Sequence, residues 1–147
     1  GTDTVVTIDG RVMGKPTSAD DAAAMLRALS GRTHQVVSGV ALARGVRALA
    51  QTGAGDGPLA GPLDGALQVA SAVTAVTFLP LQEDDIAAYL SSGEWRGKAG
   101  AYAIQGLAGL FVAGIEGEYS NVVGLPLCLL AQMFRRLGFD LVRGSWA

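Results

Sequence analysis

One cysteine and one histidine occur in 147 residues, and each scarcity removes a class of chemistry. A single thiol, Cys128, builds neither a disulfide framework nor a four-cysteine zinc site. Ser-His-Asp catalysis would have to run through His34 alone. Charge is sparse as well: 16% of the residues are charged, they balance to −2 at pH 7, and no basic tract appears. The basic footprint that a nucleic-acid backbone demands is therefore missing, and no nucleic-acid partner is expected. Long hydrophobic runs are absent too. The longest near-apolar stretch, Val122 to Met133, falls short of the ~20 residues of a spanning helix and is interrupted by Pro126 and Gln132, so no membrane partner is expected. Gly1 to Ile8 carries an acid where a signal peptide needs a basic region. The first residue is not methionine, so the chain is expected to be a processed product or a piece of something longer.

What remains is a chain half apolar, which excludes disorder over its whole length and suits one domain with its own core. Twenty-one glycines and five prolines imply many turns. Thr4 to Ile8 reads as a strand, Asp9-Gly10 as a hairpin turn, and Arg11 to Met13 as the return. Gly14-Lys15-Pro16 breaks that strand. Ser18 then caps a helix with Asp20 and Asp21 in its first turn, an apolar face of Ala22, Met25, Leu26 and Leu29, and Gly31 as its stop. His34 to Ala43 is a Val-rich strand. Residues 45–71 hold widely spaced glycines and two prolines without a period, which predicts a glycine-rich flexible insertion.

Beyond it, Ala72 to Leu79 reads as a strand and Leu81 to Leu90 as a helix. Gly93 to Gly106 is a glycine-punctuated loop, and Leu110 to Ile115 a strand buried on both faces. Tyr119 to Gly124 reads as a loop, and Leu127 to Leu137 as a helix with Pro126 at its start. The order predicts an α/β chain (α+β, mixed sheet) forming one domain over residues 1–147.

No phosphate-binding P-loop, dinucleotide fingerprint, His-Glu-x-x-His or EF-hand pattern is present. Asp3, at the mouth of the first strand, is either a turn-forming aspartate or a carboxylate placed to hold a hard cation or polarise a water. Lys15 is either a solvated loop lysine or a phosphate-contacting ammonium held by stiff Gly and Pro neighbours. Glu83-Asp84-Asp85 resembles a metal cluster but falls in a helix first turn, where it compensates the dipole. His34 is expected to be a structural hydrogen-bonding residue, and Cys128 an inert core thiol.

Several blocks go further. Gly1-Thr2-Asp3-Thr4-Val5-Val6, then Gly14-Lys15-Pro16, then Met25-Leu26 with Leu29-Ser30-Gly31 and His34, resemble consecutive blocks of the Maf family. So do Gly93-Glu94, the run Lys98-Ala99-Gly100-Ala101-Tyr102-Ala103-Ile104-Gln105-Gly106, and Tyr119 to Leu127. The resemblance implies an α/β fold with a deep cleft, similar to inosine triphosphate pyrophosphatases. It also implies a cytoplasmic, metal-dependent hydrolase that cleaves a nucleoside triphosphate to a monophosphate and pyrophosphate, a house-cleaning activity against modified nucleotides.

Carried over by position, Asp3 falls on the family's catalytic acid, as proton acceptor or metal holder, with Mg²⁺ or Mn²⁺ as the expected cofactor. Lys15 falls on the phosphate-side lysine. Gln105 falls on a polar residue whose block resembles the dTTP/UTP branch. Thr2 and Thr4 are positions whose side chains would orient the carboxylate. The family usually has an aspartate where this chain has Gly97, and it opens with a strand and a Ser-x-Ser-Pro-Arg-Arg loop ahead of the aspartate block. On that pattern the chain is expected to lack the family's N-terminal portion. The alternative to an enzyme is a non-catalytic remnant acting as a binding or interaction module, and a homodimer is left open.

Overall fold

The β-branched start folds as expected: β1 (Thr2–Ile8) and β2 (Arg11–Met13) form an antiparallel hairpin. Asp9 and Gly10 turn it with φ of 51° and 74°, the two positive values that match the turn to the strand twist. The computed structural model describes residues 1–43 and 67–146. Within them, α1 (Ala19–Leu29) follows, its Ser18 side chain accepting a hydrogen bond from the Asp21 amide at 3.1 Å. β3 (Thr33–Ala43) and β4 (Leu67–Phe78) pair antiparallel from Thr33↔Thr77 to Ala43↔Leu67. β5 (Val112–Glu116) completes a sheet of order β2-β1-β3-β4-β5.

One face of this sheet presents Val6, Ile8, Val36, Val76 and Phe78 to the apolar side of α1, where Ala22, Ala23, Leu26 and Leu29 are buried. α2 (Glu83–Ser92) adds Ile86 and Tyr89 to the same core. Burying a large aliphatic or aromatic side chain contributes roughly 1.5–3 kcal/mol each, so this layer is the main source of stability. α3 (Tyr119–Val123) and α4 (Leu127–Arg136) come next, and a two-stranded hairpin of β6 (Phe139–Asp140) and β7 (Ser145–Trp146) ends the described chain.

The α/β class holds, with four corrections in detail. All four pairings in the large sheet are antiparallel rather than mixed. The glycine-rich segment expected over 45–71 ends earlier, because Leu67 to Ser71 belong to β4 and pair with the far half of β3; the rest of that segment lies outside the described residues. The apolar run at 110–115 is not buried on both faces. β5 occupies the sheet's edge with one neighbour, and Ala113, Gly114 and Ile115 are exposed. Residues 119–123, expected as loop, form a short helix because buried Asn121 and the Thr74 hydroxyl anchor them to the sheet.

Among the described residues, no helix is long and apolar enough to cross a membrane.

Candidate active site

A cleft of about 270 Å³ opens beside the first residues of β1. Three stretches of chain wall it: Thr2 to Thr4 at the strand's mouth, residues 97–105, and Val122 to Gly124 at the end of α3. Lys15, just past the β1–β2 hairpin, closes the fourth side. Each wall has a local cause. The backbone near Lys15 is tied to the opposite wall where the Gly100 amide donates to the Gly14 carbonyl at 3.1 Å. The short 3-10 turn Ala99–Ala101 lies flat on β1 because Gly100 has no side chain; a Cβ there would come within 2.8 Å of Val6 Cγ2. The α3 wall is pinned from beneath by Asn121, whose Nδ2 donates to the Val36 carbonyl at 3.0 Å and to Thr74 Oγ1 at 3.1 Å.

The structure thus brings Thr2, Asp3, Thr4, Lys15 and Gln105 to one cleft, although 102 positions separate Asp3 from Gln105 in the chain. The threonine hydroxyls bond elsewhere than to the carboxylate. Thr2 Oγ1 donates to the Gly124 carbonyl at 3.4 Å, and Thr4 Oγ1 shares a 2.7 Å hydrogen bond with Ser38 Oγ. The group that holds Asp3 is the Thr4 backbone amide, donating to Oδ1 at 3.0 Å. The two threonines tie the strand to the α3 wall and to β3, and so fix where the aspartate stands.

Lys98 also lines the cleft, a residue the sequence reading passed over although it opens the Lys98-Ala99-Gly100 block. The charged residues around the cleft are then Asp3, Lys15 and Lys98, a local excess of one positive charge in a chain of net −2. The floor adds no charge. Tyr102 Oη and His34 Nε2 are 2.8 Å apart, both residues are buried, and Phe78 packs edge-on against each ring. Burial pushes the His34 imidazole down to about 4 and the Tyr102 phenol upward, so both are neutral at pH 7. His34 is the structural hydrogen-bonding residue expected of it.

Two other expectations come out differently from one another. Glu83-Asp84-Asp85 does begin a helix: Asp85 accepts from the Gln82 amide at 2.9 Å, and Glu83 pairs with Arg27 through two 2.8 Å hydrogen bonds. Cys128 is exposed rather than a core thiol, because α4 turns Met133 inward and leaves Leu127 and Cys128 outside.

No three His, Cys, Asp or Glu side chains cluster as a metal cage among the described residues. The donor set at the cleft is one carboxylate, Asp3, flanked by hydroxyl and carbonyl oxygens. Such a set suits a small hard cation that takes its remaining ligands from water and phosphate, as Mg²⁺ does, and does not suit a metal enclosed by protein ligands.

Residues 1–137 match the family described as Maf-like protein. Among curated relatives, the dTTP/UTP pyrophosphatase of Pelotomaculum thermopropionicum is 43% identical over 145 residues, covering 97% of this chain and 65% of the relative. That of Moorella thermoacetica is 47% identical over 141 residues, covering 96% and 64%. That of Shewanella denitrificans is 45% identical over 140 residues, covering 92% and 61%. The chain spans a little under two thirds of the length of these relatives.

Proposed function

Because this chain belongs to the Maf-like family, we propose that its cleft is that of a cytoplasmic nucleoside triphosphate pyrophosphatase, cleaving dTTP or UTP to the monophosphate and pyrophosphate. The observation that supports this most is the gathering of one carboxylate, two lysines and one carboxamide around a single cleft. A triphosphate brings about four negative charges, and charge developing on the leaving group must be met by fixed cations. Lys15 and Lys98 supply two. Asp3 accepts a proton from the attacking water as its oxygen bonds to the α-phosphorus. The bond from that phosphorus to the bridging oxygen then breaks, and pyrophosphate departs.

Gln105 offers a donor and an acceptor together, which suits the carbonyl and N–H edge of uracil or thymine. Tyr102, which lines the cleft and is bonded beneath it to His34, is neutral, so within the lining the lysines are opposed by Asp3 alone. Asp3 would also be the residue to hold a divalent cation, Mg²⁺ or Mn²⁺. Bound there, the ion supplies further neutralisation of phosphate charge.

The test is incubation with a nucleotide panel plus Mg²⁺ or Mn²⁺, with pyrophosphate and orthophosphate measured separately. Pyrophosphate from dTTP and UTP is the expected result. Orthophosphate as the sole primary product would sink the assignment, and nucleotide binding without turnover would favour a non-catalytic binding module.

A further inference from the structure

Gln105 sits at an exposed turn, and an exposed carboxamide selects a base only if something holds its backbone still. The turn is closed by the Gly106 amide donating to the Ala103 carbonyl at 3.0 Å, which places Ile104 and Gln105 at its tip. Two side chains hold it, Tyr89 in the last turn of α2 and Glu94 just past that helix's cap. The Ala103 amide donates to Tyr89 Oη at 3.2 Å, and the Leu107 amide donates to Glu94 Oε2 at 2.8 Å. Glu94 is itself fixed, since it follows the left-handed helix cap Gly93 and its own amide donates to Ser92 Oγ at 3.2 Å. The indole of Trp95 next to it donates to the Leu90 carbonyl at 3.0 Å.

A second observation points to the same carboxylate. Gly106 has φ −108°, a value open to any residue, so its backbone does not require glycine. A Cβ built on it would nevertheless lie 2.0 Å from Glu94 Oε2 and 2.7 Å from the carboxyl carbon. The carboxylate occupies the volume a side chain at 106 would need. Glu94 and Gly106 are therefore two halves of one contact, and the stretch between the two gripped amides is Ile104-Gln105-Gly106, with Gln105 at its centre.

We propose that Glu94 is the positioning residue for base selection: its carboxylate, seated over Gly106 and bonded to the Leu107 amide, holds the turn that aims Gln105 into the cleft. The inference rests on the pyrophosphatase reading of that cleft and adds to it the residue that sets its specificity. Glu94 touches no substrate. It acts through the turn, and what it supplies is a hydrogen-bond acceptor of fixed position rather than a charge.

The experiment compares the wild-type protein with Glu94→Ala, Glu94→Gln, Gly106→Ala and the Glu94→Ala/Gly106→Ala double variant. Amide hydrogen exchange is followed at 104–109, and KM and kcat are measured for UTP, dTTP, CTP and GTP. In Glu94→Ala, exchange at Leu107 should quicken by up to roughly tenfold, as expected for losing one hydrogen bond, while α1 stays protected. KM for UTP and dTTP should rise, and their preference over CTP and GTP should shrink by a similar factor, with kcat changed less. Glu94→Gln keeps an acceptor of the same shape and should restore both readouts. Gly106→Ala should reproduce Glu94→Ala, and in the double variant the two should not add, because the carboxylate that alanine would strike is gone. Unchanged exchange at Leu107, exchange that quickens with selectivity intact, failure of Glu94→Gln to rescue, or additive single effects would each overturn the proposal. A wild-type protein with no preference for UTP or dTTP would instead overturn the reading of the cleft, while the exchange and additivity results still decide whether Glu94 holds the turn.

Discussion

His34 is the one histidine of the chain, so its protonation can be followed without ambiguity. It is 2% exposed, with Nε2 on Tyr102 Oη, and Nδ1 has no hydrogen-bond partner among the described residues. Burial holds its pKa at about 4, against an ordinary value of 6.5. A folded-state pKa below the unfolded one means that the unfolded chain takes up the proton first as pH falls. Stability is therefore full above about pH 7 and declines from the ordinary histidine range down to the folded pKa. Between pH 7.5 and 5 the shift corresponds to a loss of about 2 kcal/mol, a large share of the 5–15 kcal/mol by which such domains are stable. The depressed carboxylates Glu83, Glu118 and Asp140 act chiefly at lower pH, so most of this window belongs to His34. The assay is urea denaturation at half-unit pH steps beside an NMR titration of the imidazole. His34→Gln should be less stable at pH 7.5 and show a flatter dependence down to pH 5. An imidazole in the folded protein that titrates near 6.5, or a wild-type stability flat across the window, would refute the reasoning.

Asp3→Asn keeps shape and removes charge, so thermal stability should barely move while pyrophosphate release falls at least ~100-fold, measured at saturating metal. Near-normal turnover would remove the carboxylate from the chemistry. Lys15→Ala should raise KM and lower kcat together, because an ammonium opposes phosphate charge in ground and transition states alike; steady-state kinetics over a range of UTP concentration separates the two. Asn121→Ala strips the bonds to the Val36 carbonyl and Thr74 hydroxyl from a fully buried position, at a cost of about 2–3 kcal/mol by denaturant titration. A loss under ~1 kcal/mol would mean that α3 is anchored by other contacts.

Local signals carried much of the fold into view. Asp9-Gly10 is a turn pair flanked by β-branched residues, Ser18 stands three positions before Asp21, and both features form as such because each depends on neighbours in the chain. What escaped notice depends on neighbours in space. Leu67 to Ser71 carries little strand signal beside so many glycines, and becomes strand because Gly39 to Ala43 presents an open ladder to pair with. The apolar run before Glu116 looks like a buried strand, yet position in the sheet decides burial, and β5 comes last. Cys128 sits among leucines, but the short α4 buries Met133 and leaves the thiol outside.

The cleft divides along the same line. Asp3, Lys15 and Gln105 came forward through the blocks that resemble the Maf family, because residue type alone left Asp3 and Lys15 open between a structural and a chemical role. The residues that hold them do not advertise themselves. Gly100 and Gly106 look alike in sequence, and both leave room for a neighbour, but for different reasons. Gly100 has φ 67° and lies against Val6, so both backbone and packing demand glycine, whereas Gly106 is free in backbone and is constrained only by the Glu94 carboxylate. Replacing Gly100 therefore strains the fold and displaces the wall that carries Lys98. Replacing Gly106 disturbs one acceptor and the turn it holds. Two glycines six residues apart thus separate the stability of the cleft from the selectivity proposed for it, and the distinction lies in which atom occupies the missing Cβ position.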